Sequence, residues 1–307
     1  MTQAFTKWVL GSGSSAGGPS VGEAIGARLD DACRRMTAVG IEAPRLDARL
    51  LLALALKAPE DRFYGREDDL LDADASATFD QLVSRRCQRE PVSRIVGRRG
   101  FWTLDLELND ASLDPRPDSE TLIEAVLEHV TPRQAPLRAL DLGTGTGCLL
   151  LSILAEYPNA TGLGVDLSLA CVALAGRNAR RNRLESRAEF QNGDWMGDIH
   201  TIFDVIICNP PYIPAGQIST LAPEVAVHEP RLALDGGVDG LDCYRQLAVG
   251  FADVLAEHGL IFLEIGHDQQ ASVSKVMQQA GWRTVATRSD LAGHDRCLVL
   301  QIGNTGA

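Results

Sequence analysis

From Leu137 to the carboxyl end, short apolar runs bounded by turn residues alternate with segments of helical period. The runs read as strands at Arg138–Leu142, Gly162–Asp166, Ala188–Gln191, Phe203–Cys208, Leu260–Ile265, Arg283–Thr287 and Cys297–Ile302. Helices fit Cys148–Glu156, Leu169–Asn182, Tyr244–Glu257 and Gln269–Ala280. Strands and helices alternating at this spacing leave few solutions: an α/β fold built on a doubly wound, largely parallel sheet with helices on both faces. Ligands of such sheets gather beyond the carboxyl ends of the strands, so the residues leaving each strand there are the first candidates for function.

At 307 residues and 45% hydrophobic, the chain can fill a second core as well. Residues 1–20, rich in Gly and Ser, read as a disordered tail. Residues 21–90 read as a small all-α domain, because Leu46, Leu50, Leu51, Leu54 and Ala55 recur at three- and four-residue steps. Residues 91–118 change to Val/Ile/Phe/Trp alternation (Ile95, Val96, Phe101, Trp102, Leu104, Leu106, Leu108), which predicts a β-hairpin linking the domains. Residues 119–307 hold the α/β domain.

A net charge of −12, from 29 basic and 41 acidic residues, opposes loose attraction to polyphosphate and argues against a nucleic-acid binder. The one basic cluster, Arg85, Arg86, Arg89, Arg94, Arg98 and Arg99, reads either as a solvated helix face followed by a strand or as a docking patch for an acidic surface. Seven scattered cysteines without a C-x-x-C pair read as free thiols of a reducing cytoplasm, and the six histidines show no ligand spacing, so no metal is expected. No apolar run is long enough to span a membrane, and the start is too weak for a signal peptide.

Asp141-Leu142-Gly143-Thr144-Gly145-Thr146-Gly147 follows the first strand of the α/β domain and opens a helix. Glycines there permit a tight turn and let a ligand approach the backbone. The next strand ends in Asp166, whose carboxylate can accept both hydroxyl protons of a ribose. The pair describes an adenosine-type site. A dinucleotide enzyme would share it, but the G-x-G-x-x-G pattern fails at Cys148, and the G-x-G-x-G spacing resembles that of class I methyltransferases. A ligand-free structural turn is the third reading. Asp141 is expected to place negative charge at the loop entry, which favours a sulfonium or amino group over a pyrophosphate.

Asn209-Pro210-Pro211-Tyr212 leaves the strand Phe203–Cys208 on the same edge. Two prolines fix φ and remove two backbone donors, leaving an acceptor-rich loop. A primary amide or exocyclic amine brings two N–H donors, which the Asn209 side-chain oxygen and the Pro210 carbonyl can accept, with Tyr212 over the flat face of the group. A proline-stiffened strand exit is the plain alternative.

With these residues the chain resembles the HemK/PrmC family of protein-glutamine methyltransferases, which modify the glutamine of the Gly-Gly-Gln motif in peptide chain release factors. The resemblance runs from about residue 25 to 302. It rests on Glu90-Pro91-Val92, Pro115-Arg116-Pro117-Asp118-Ser119-Glu120, the glycine loop, Asp166, Asn209 to Tyr212 with Ile213-Pro214, Glu229-Pro230, Gly236-Gly237, Asp239-Gly240-Leu241, Glu264-Ile265-Gly266 and Asp290-Leu291-Ala292-Gly293. It implies a class I S-adenosylmethionine methyltransferase fold with a small all-α N-terminal domain joined by a β-hairpin, S-adenosylhomocysteine as product, and a cytoplasmic, monomeric enzyme acting on release factors. It implies cofactor contacts from Gly143, Thr144, Gly145, Thr146, Gly147, Asp166, Trp195 and Asn209. Substrate contacts would come from Asn209, Pro210, Pro211 and Tyr212, with Asn209, Pro210 and Tyr212 as the catalytic group and Phe101 walling the substrate pocket from the hairpin. The alternatives for Trp195 and Phe101 are ordinary packing.

Two positions depart from the family pattern. Asp114 stands where an isoleucine is usual, which puts the seating of the Pro-Arg-Pro segment in question, and Ser119 replaces a threonine while keeping its hydroxyl. Methylation of a ribosomal-protein glutamine is the nearest alternative function. Methylation of the adenine amino group in nucleic acid is favoured by the four-residue loop and opposed by the net charge.

Overall fold

The computed structural model describes residues 23–303, so the tail expected at 1–20 lies outside the described residues. The chain divides into two compact units after Ser84. The first contains α1 (Ile25–Ala38), α2 (Pro44–Ala55) and most of α3 (Ala73–Cys87), with a 3₁₀ turn at Glu60–Phe63. Ile25, Leu29, Ala32 and Met36, spaced by four, three and four, form the buried stripe of α1. In α2 the buried stripe is Ala48, Leu51 and Leu52. Leu46, expected on the apolar face, is exposed.

The second unit opens with α4 (Val92–Val96), β1 (Arg98–Phe101) and β2 (Leu104–Glu107). Ile95 and Val96, expected in a strand, are helical: the turn begins after Pro91 and Gly97 ends it in a left-handed conformation. The hairpin packs on α7 through two side-chain amides that complete its open edge. Asn178 accepts from the Glu107 N–H at 2.8 Å and donates to the Glu107 carbonyl, and Asn182 does the same at Asp105.

The remaining elements are α5 (Glu120–His129), β3 (Arg138–Leu142), α6 (Cys148–Glu156), β4 (Thr161–Asp166), α7 (Leu169–Arg181), β5 (Ala188–Asn192), β6 (Phe203–Cys208), α8 (Pro223–Ala226), α9 (Asp242–Gly250), β7 (Leu255–Glu264), α10 (Gln270–Gln279), β8 (Trp282–Ser289) and β9 (Asp295–Ile302). Seven strands form one sheet in the order β5-β4-β3-β6-β7-β9-β8, parallel except for β9, which runs against both neighbours. Side chains of β3 and β6 alternate between two cores. Ala139, Val205 and Ile207 join α5 and α6 on one face, while Leu140, Leu142, Ile206 and Cys208 join α9 and α10 on the other.

The helix expected over Tyr244–Glu257 stops at Gly250, and after a 3₁₀ turn at Phe251–Asp253 the chain is already strand at Leu255. Leu255 pairs with Phe203, so sheet pairing overrides the helical period of that stretch.

Candidate active site

Chain order reverses between β3 and β6, which are hydrogen-bonded neighbours with Leu142 opposite Cys208. The glycine loop and Asn209 therefore leave the sheet side by side, at the switch point where open α/β sheets bind ligands. A cavity of about 320 Å³ lies there, within the ordinary range for small-molecule sites. Its walls include Gly143, Thr144, Gly145, Thr146, Asp166, Trp195, Asn209 and Pro211. Gly147, Pro210, Tyr212 and Phe101 are not among them.

Gly143, Gly145 and Gly147 all have positive φ, which bends the loop back over β4: the N–H groups of Gly143 and Thr144 both donate to the Val165 carbonyl, at 2.9 and 3.0 Å. Asp166 holds the turn from the other side. Its Oδ2 accepts from the Gly145 N–H and its Oδ1 from the Ser168 N–H, both at 2.8 Å, so the carboxylate is fixed while each oxygen keeps acceptor capacity for a diol. Gly147 instead starts α6, against Ala175 and Leu151. Asn178 ties the loop to the hairpin, donating to the Thr146 carbonyl at 2.9 Å.

Asp141 does not play the part expected of it. It is buried under the loop, where its Oδ2 accepts from the Thr144 hydroxyl at 2.6 Å, and burial pushes its carboxyl up to about 7. The negative charge of the cavity comes from Asp166, Asp194 and Asp235, against Arg116 as the cation among its walls. Trp195 adopts a left-handed backbone with φ 49, and its indole N–H donates to Gln246. Its ring lies beside Gly143, where a Cβ would sit 3.7 Å from it, so the ring and the bare backbone form one wall. Cys148, Cys171 and Cys243 also line the cavity, but burial pushes the first up to about 12 and the other two to about 11, so none offers a thiolate at neutral pH.

Asn209 donates from Nδ2 to Ser119 Oγ at 3.2 Å, and the carboxyl of Glu264, at the end of β7, is buried nearby. The Tyr212 hydroxyl turns toward the same carboxyl, 3.4 Å from Glu264 Oε1, instead of covering the cavity. Burial pushes Glu264 up to about 7, with Ser119, Arg296 and Tyr212 pulling it down and Asp118 pushing it further.

The Asn-Pro-Pro-Tyr loop is seated on backbone. Ile213 N–H donates to the Leu234 carbonyl and Gly236 N–H to the Ile213 carbonyl, while Gln269 donates to the Tyr212 carbonyl at 2.9 Å. A Cβ on Gly236 would lie 2.8 Å from Tyr212 Cα, and one on Gly240 2.4 Å from the Tyr212 carbonyl oxygen. The Gly236-Gly237 and Gly240 positions are thus the seat of the loop.

Phe101 belongs elsewhere. It is buried with Leu104, Leu106 and Leu122 in the core under the hairpin, so it packs the hairpin and does not wall the pocket. Asp114 turns away from the cavity that its neighbours Leu113 and Pro115 line, and pairs with the Ser93 hydroxyl and Arg99. The polar residue is accommodated by partners, and the Pro-Arg-Pro segment keeps its place at the cavity wall. The helix-then-strand reading of the basic cluster holds in outline, with Arg85 and Arg86 on α3 and Arg98 and Arg99 on β1, but each of its arginines has an acidic partner. Arg85 pairs with Glu90, Arg86 and Arg89 with Glu224, Arg94 with Glu229, Arg98 with Asp105 and Arg99 with Asp114. Glu229, fully buried, also takes Arg116 at 2.7 Å and the Asp114 N–H, which fastens the cavity wall to the loop after α8.

Ser119 and Glu264 are the site residues that residue patterns alone missed. The signal was a carboxylate inside the otherwise apolar run Leu260–Ile265, on the strand next to β6. Among the described residues no group of three or more His, Cys, Asp or Glu is placed to hold a metal, and no helix is long and apolar enough to cross a membrane.

Residues 28–97 match the family model described as PrmC N-terminal domain, and residues 117–237 the one described as Methyltransferase small domain. The chain is 43% identical over 293 residues to the release factor glutamine methyltransferase of Rhodospirillum rubrum, with 94% of this chain and 90% of that protein covered. It is 44% identical over 271 residues to the release factor glutamine methyltransferase of Caulobacter vibrioides, with 88% and 93% covered. Among solved structures, a methyltransferase from Pyrococcus furiosus superposes with a TM-score of 0.50 at 18% identity, over 71% of this chain and 98% of that one, which is a likeness of fold alone.

Proposed function

The chain belongs to the release factor glutamine methyltransferase family, and on that premise we propose that it methylates the side-chain amide nitrogen, N5, of the glutamine in the Gly-Gly-Gln motif of peptide chain release factors. One observation carries the reading. Asn209 leaves the sheet beside the glycine loop with its Nδ2 already committed to Ser119, so its Oδ1 is the end left for a ligand.

S-adenosylmethionine, when bound, supplies a methyl group activated by a positively charged sulfonium. The residues present fit it. Asp166 has spare acceptor capacity for the ribose diol, Trp195 and Gly143 make a wall for a flat base, and the acidic cavity favours a cation. Gly145 and Thr146 bring bare backbone and a hydroxyl to the same turn.

For the substrate, Asn209 Oδ1 and the Pro210 carbonyl accept the two carboxamide N–H groups, with Pro211 and Tyr212 stiffening the loop around them. The amide lone pair is delocalised, so holding it in line supplies most of the catalysis, on the order of 7–11 kcal/mol in well-oriented systems. A glutamate brings no donors and sets its charge against two acceptors, which gives rejection of roughly 10⁴-fold. The electrophile is already activated, so the reaction needs no metal, and its substrate places the enzyme in the cytoplasm. Incubation with labelled S-adenosylmethionine tests the assignment: a release factor takes up label and its Gly-Gly-Gln Gln→Ala variant does not. Equal labelling of that variant would overturn it.

A further inference from the structure

Pro210 and Pro211 lack N–H groups and have fixed φ, so the stretch from Asn209 to Tyr212 is stiff and its direction is set at its two ends. At its start stands β6, where Cys208 pairs with Leu142 on one side and Leu263 on the other. At its end the Tyr212–Ile213 peptide is held on both sides. The Ile213 N–H donates to the Leu234 carbonyl at 3.0 Å, and the Tyr212 carbonyl accepts from Gln269 Nε2 at 2.9 Å. We propose that Gln269 is a positioning residue for methyl transfer: it fixes the far end of the acceptor loop, and so keeps Asn209 and the Pro210 carbonyl in the geometry that a carboxamide needs. This rests on the function proposed above.

Gln269 stands just before α10, beyond the carboxyl end of β7, the strand beside β6. A side chain at that place commonly caps its own helix, but Gln269 makes no such bond. Its Oε1 accepts from the Gly266 N–H at 3.0 Å, and its Nε2 faces two carbonyls, that of Tyr212 at 2.9 Å and that of Gly240 at 3.4 Å. A carbonyl only accepts and a backbone N–H only donates, so this amide fits one way round. Reversed, it would set like against like at all three contacts.

The surroundings are cut to the same shape. Gln269 is 8% exposed. A Cβ on Gly266 would lie 2.8 Å from its Oε1, and one on Gly240 2.8 Å from its Nε2, so both glycines leave room for this amide. Its backbone N–H donates to the Gly266 carbonyl at 2.9 Å and its carbonyl accepts from the Val273 N–H at 2.9 Å, so the side chain springs from a fixed turn. One amide thus ties the exit of β7 and the turn at Gly240 to the acceptor loop. Removing its –NH₂ frees the Tyr212–Ile213 peptide to turn, and a misplacement of about 1 Å at a reacting group can cost on the order of a hundredfold in rate.

The test is steady-state kinetics with a release factor and S-adenosylmethionine, with kcat expressed per cofactor site counted by calorimetric titration, and with a melting temperature for each variant. Gln269→Met keeps the bulk and removes the donor, whereas Gln269→Glu keeps the shape and sets an oxygen against the Tyr212 and Gly240 carbonyls. In the Met variant kcat per site falls by about tenfold or more, and in the Glu variant further, with KM for the release factor and cofactor affinity within about twofold. Should the Met variant not fold, Gln269→Asn, which keeps the amide but draws its –NH₂ back by one methylene, carries the same expectation. Unaltered kcat per site in a folded Met or Asn variant, or in the Glu variant, would overturn the proposal. So would a loss confined to KM, or one that shows only as fewer cofactor sites and a lower melting temperature, since the residue would then serve docking or the fold alone. No methylation of the release factor by the unaltered enzyme is a separate outcome: it overturns the functional reading, and the positioning role with it.

Discussion

On the proposed function Asn209 serves the methyl acceptor and Asp166 the cofactor ribose, so their variants separate turnover from binding. Asn209→Ala keeps fold and cofactor affinity and lowers kcat by about two orders of magnitude, the usual loss for one preorganised polar contact. Asp166→Ala weakens S-adenosylmethionine first, by roughly ten- to a hundredfold for a lost charged hydrogen bond. Calorimetric titration beside steady-state kinetics checks the pair, and unchanged cofactor affinity in the Asp166 variant would misplace the ribose. The buried carboxyls of Asp141 and Glu264 make a second residue-scale prediction. Their folded values are raised from 3.8 and 4.5 to about 7, so the native chain holds both protons more tightly than the unfolded chain. The stability they contribute is complete below the unfolded values and lost as pH rises through about 7. Asp80, Asp105, Glu224 and Asp290 are shifted down by their partners, and lose their contribution only as pH falls below the usual carboxylate range. Between pH 5 and 8 the melting temperature should therefore fall, and Asp141→Asn with Glu264→Gln should flatten that slope; a rise in the unaltered protein would contradict it. The places of Asn209, Asp166 and Trp195 at the cavity wall were legible because each ends or follows a readable strand. Ser119 meets Asn209 90 residues on, and Glu264 meets Tyr212 52 residues back, which no local pattern encodes.

The element proposed to hold the methyl acceptor is the loop after β6, and it is held by backbone more than by side chains. Gly240, with φ +76, leaves room for the Tyr212 carbonyl that a methyl group would fill. Gly240→Ala should lower kcat by about tenfold or more and cost about 1–3 kcal/mol of stability, with cofactor affinity nearly unchanged; wild-type turnover in a folded variant would show that the seat is not needed. Strands β3 and β6 stood where the apolar runs put them, because both are buried on both faces and bounded by glycine or proline. The errors lay where tertiary contacts decide. Val92–Val96 is a single helical turn between Pro91 and Gly97, and Leu255 is drawn into strand by Phe203. Phe101 was placed on the wrong side of the hairpin, since alternation tells which residues share a face but not what that face meets.

At the scale of the molecule, the class I S-adenosylmethionine methyltransferase fold brings the cofactor turn and the acceptor loop together by topology: neighbouring strands whose chain order reverses between them. That much followed from strand-helix alternation and two motifs. The fate of Arg86, Arg89 and Arg94 did not, because their acidic partners Glu224 and Glu229 lie more than a hundred residues on. Their pairing offsets three of the cluster's positive charges in a chain of net charge −12, which speaks against loose binding of nucleic acid. The central claim is that this site methylates a carboxamide, and the most direct measurement is fragment mass spectrometry of a release factor before and after treatment with enzyme and S-adenosylmethionine. One added methyl on the Gly-Gly-Gln glutamine is the predicted result. An unmodified glutamine, or a methyl on any other residue, would contradict it.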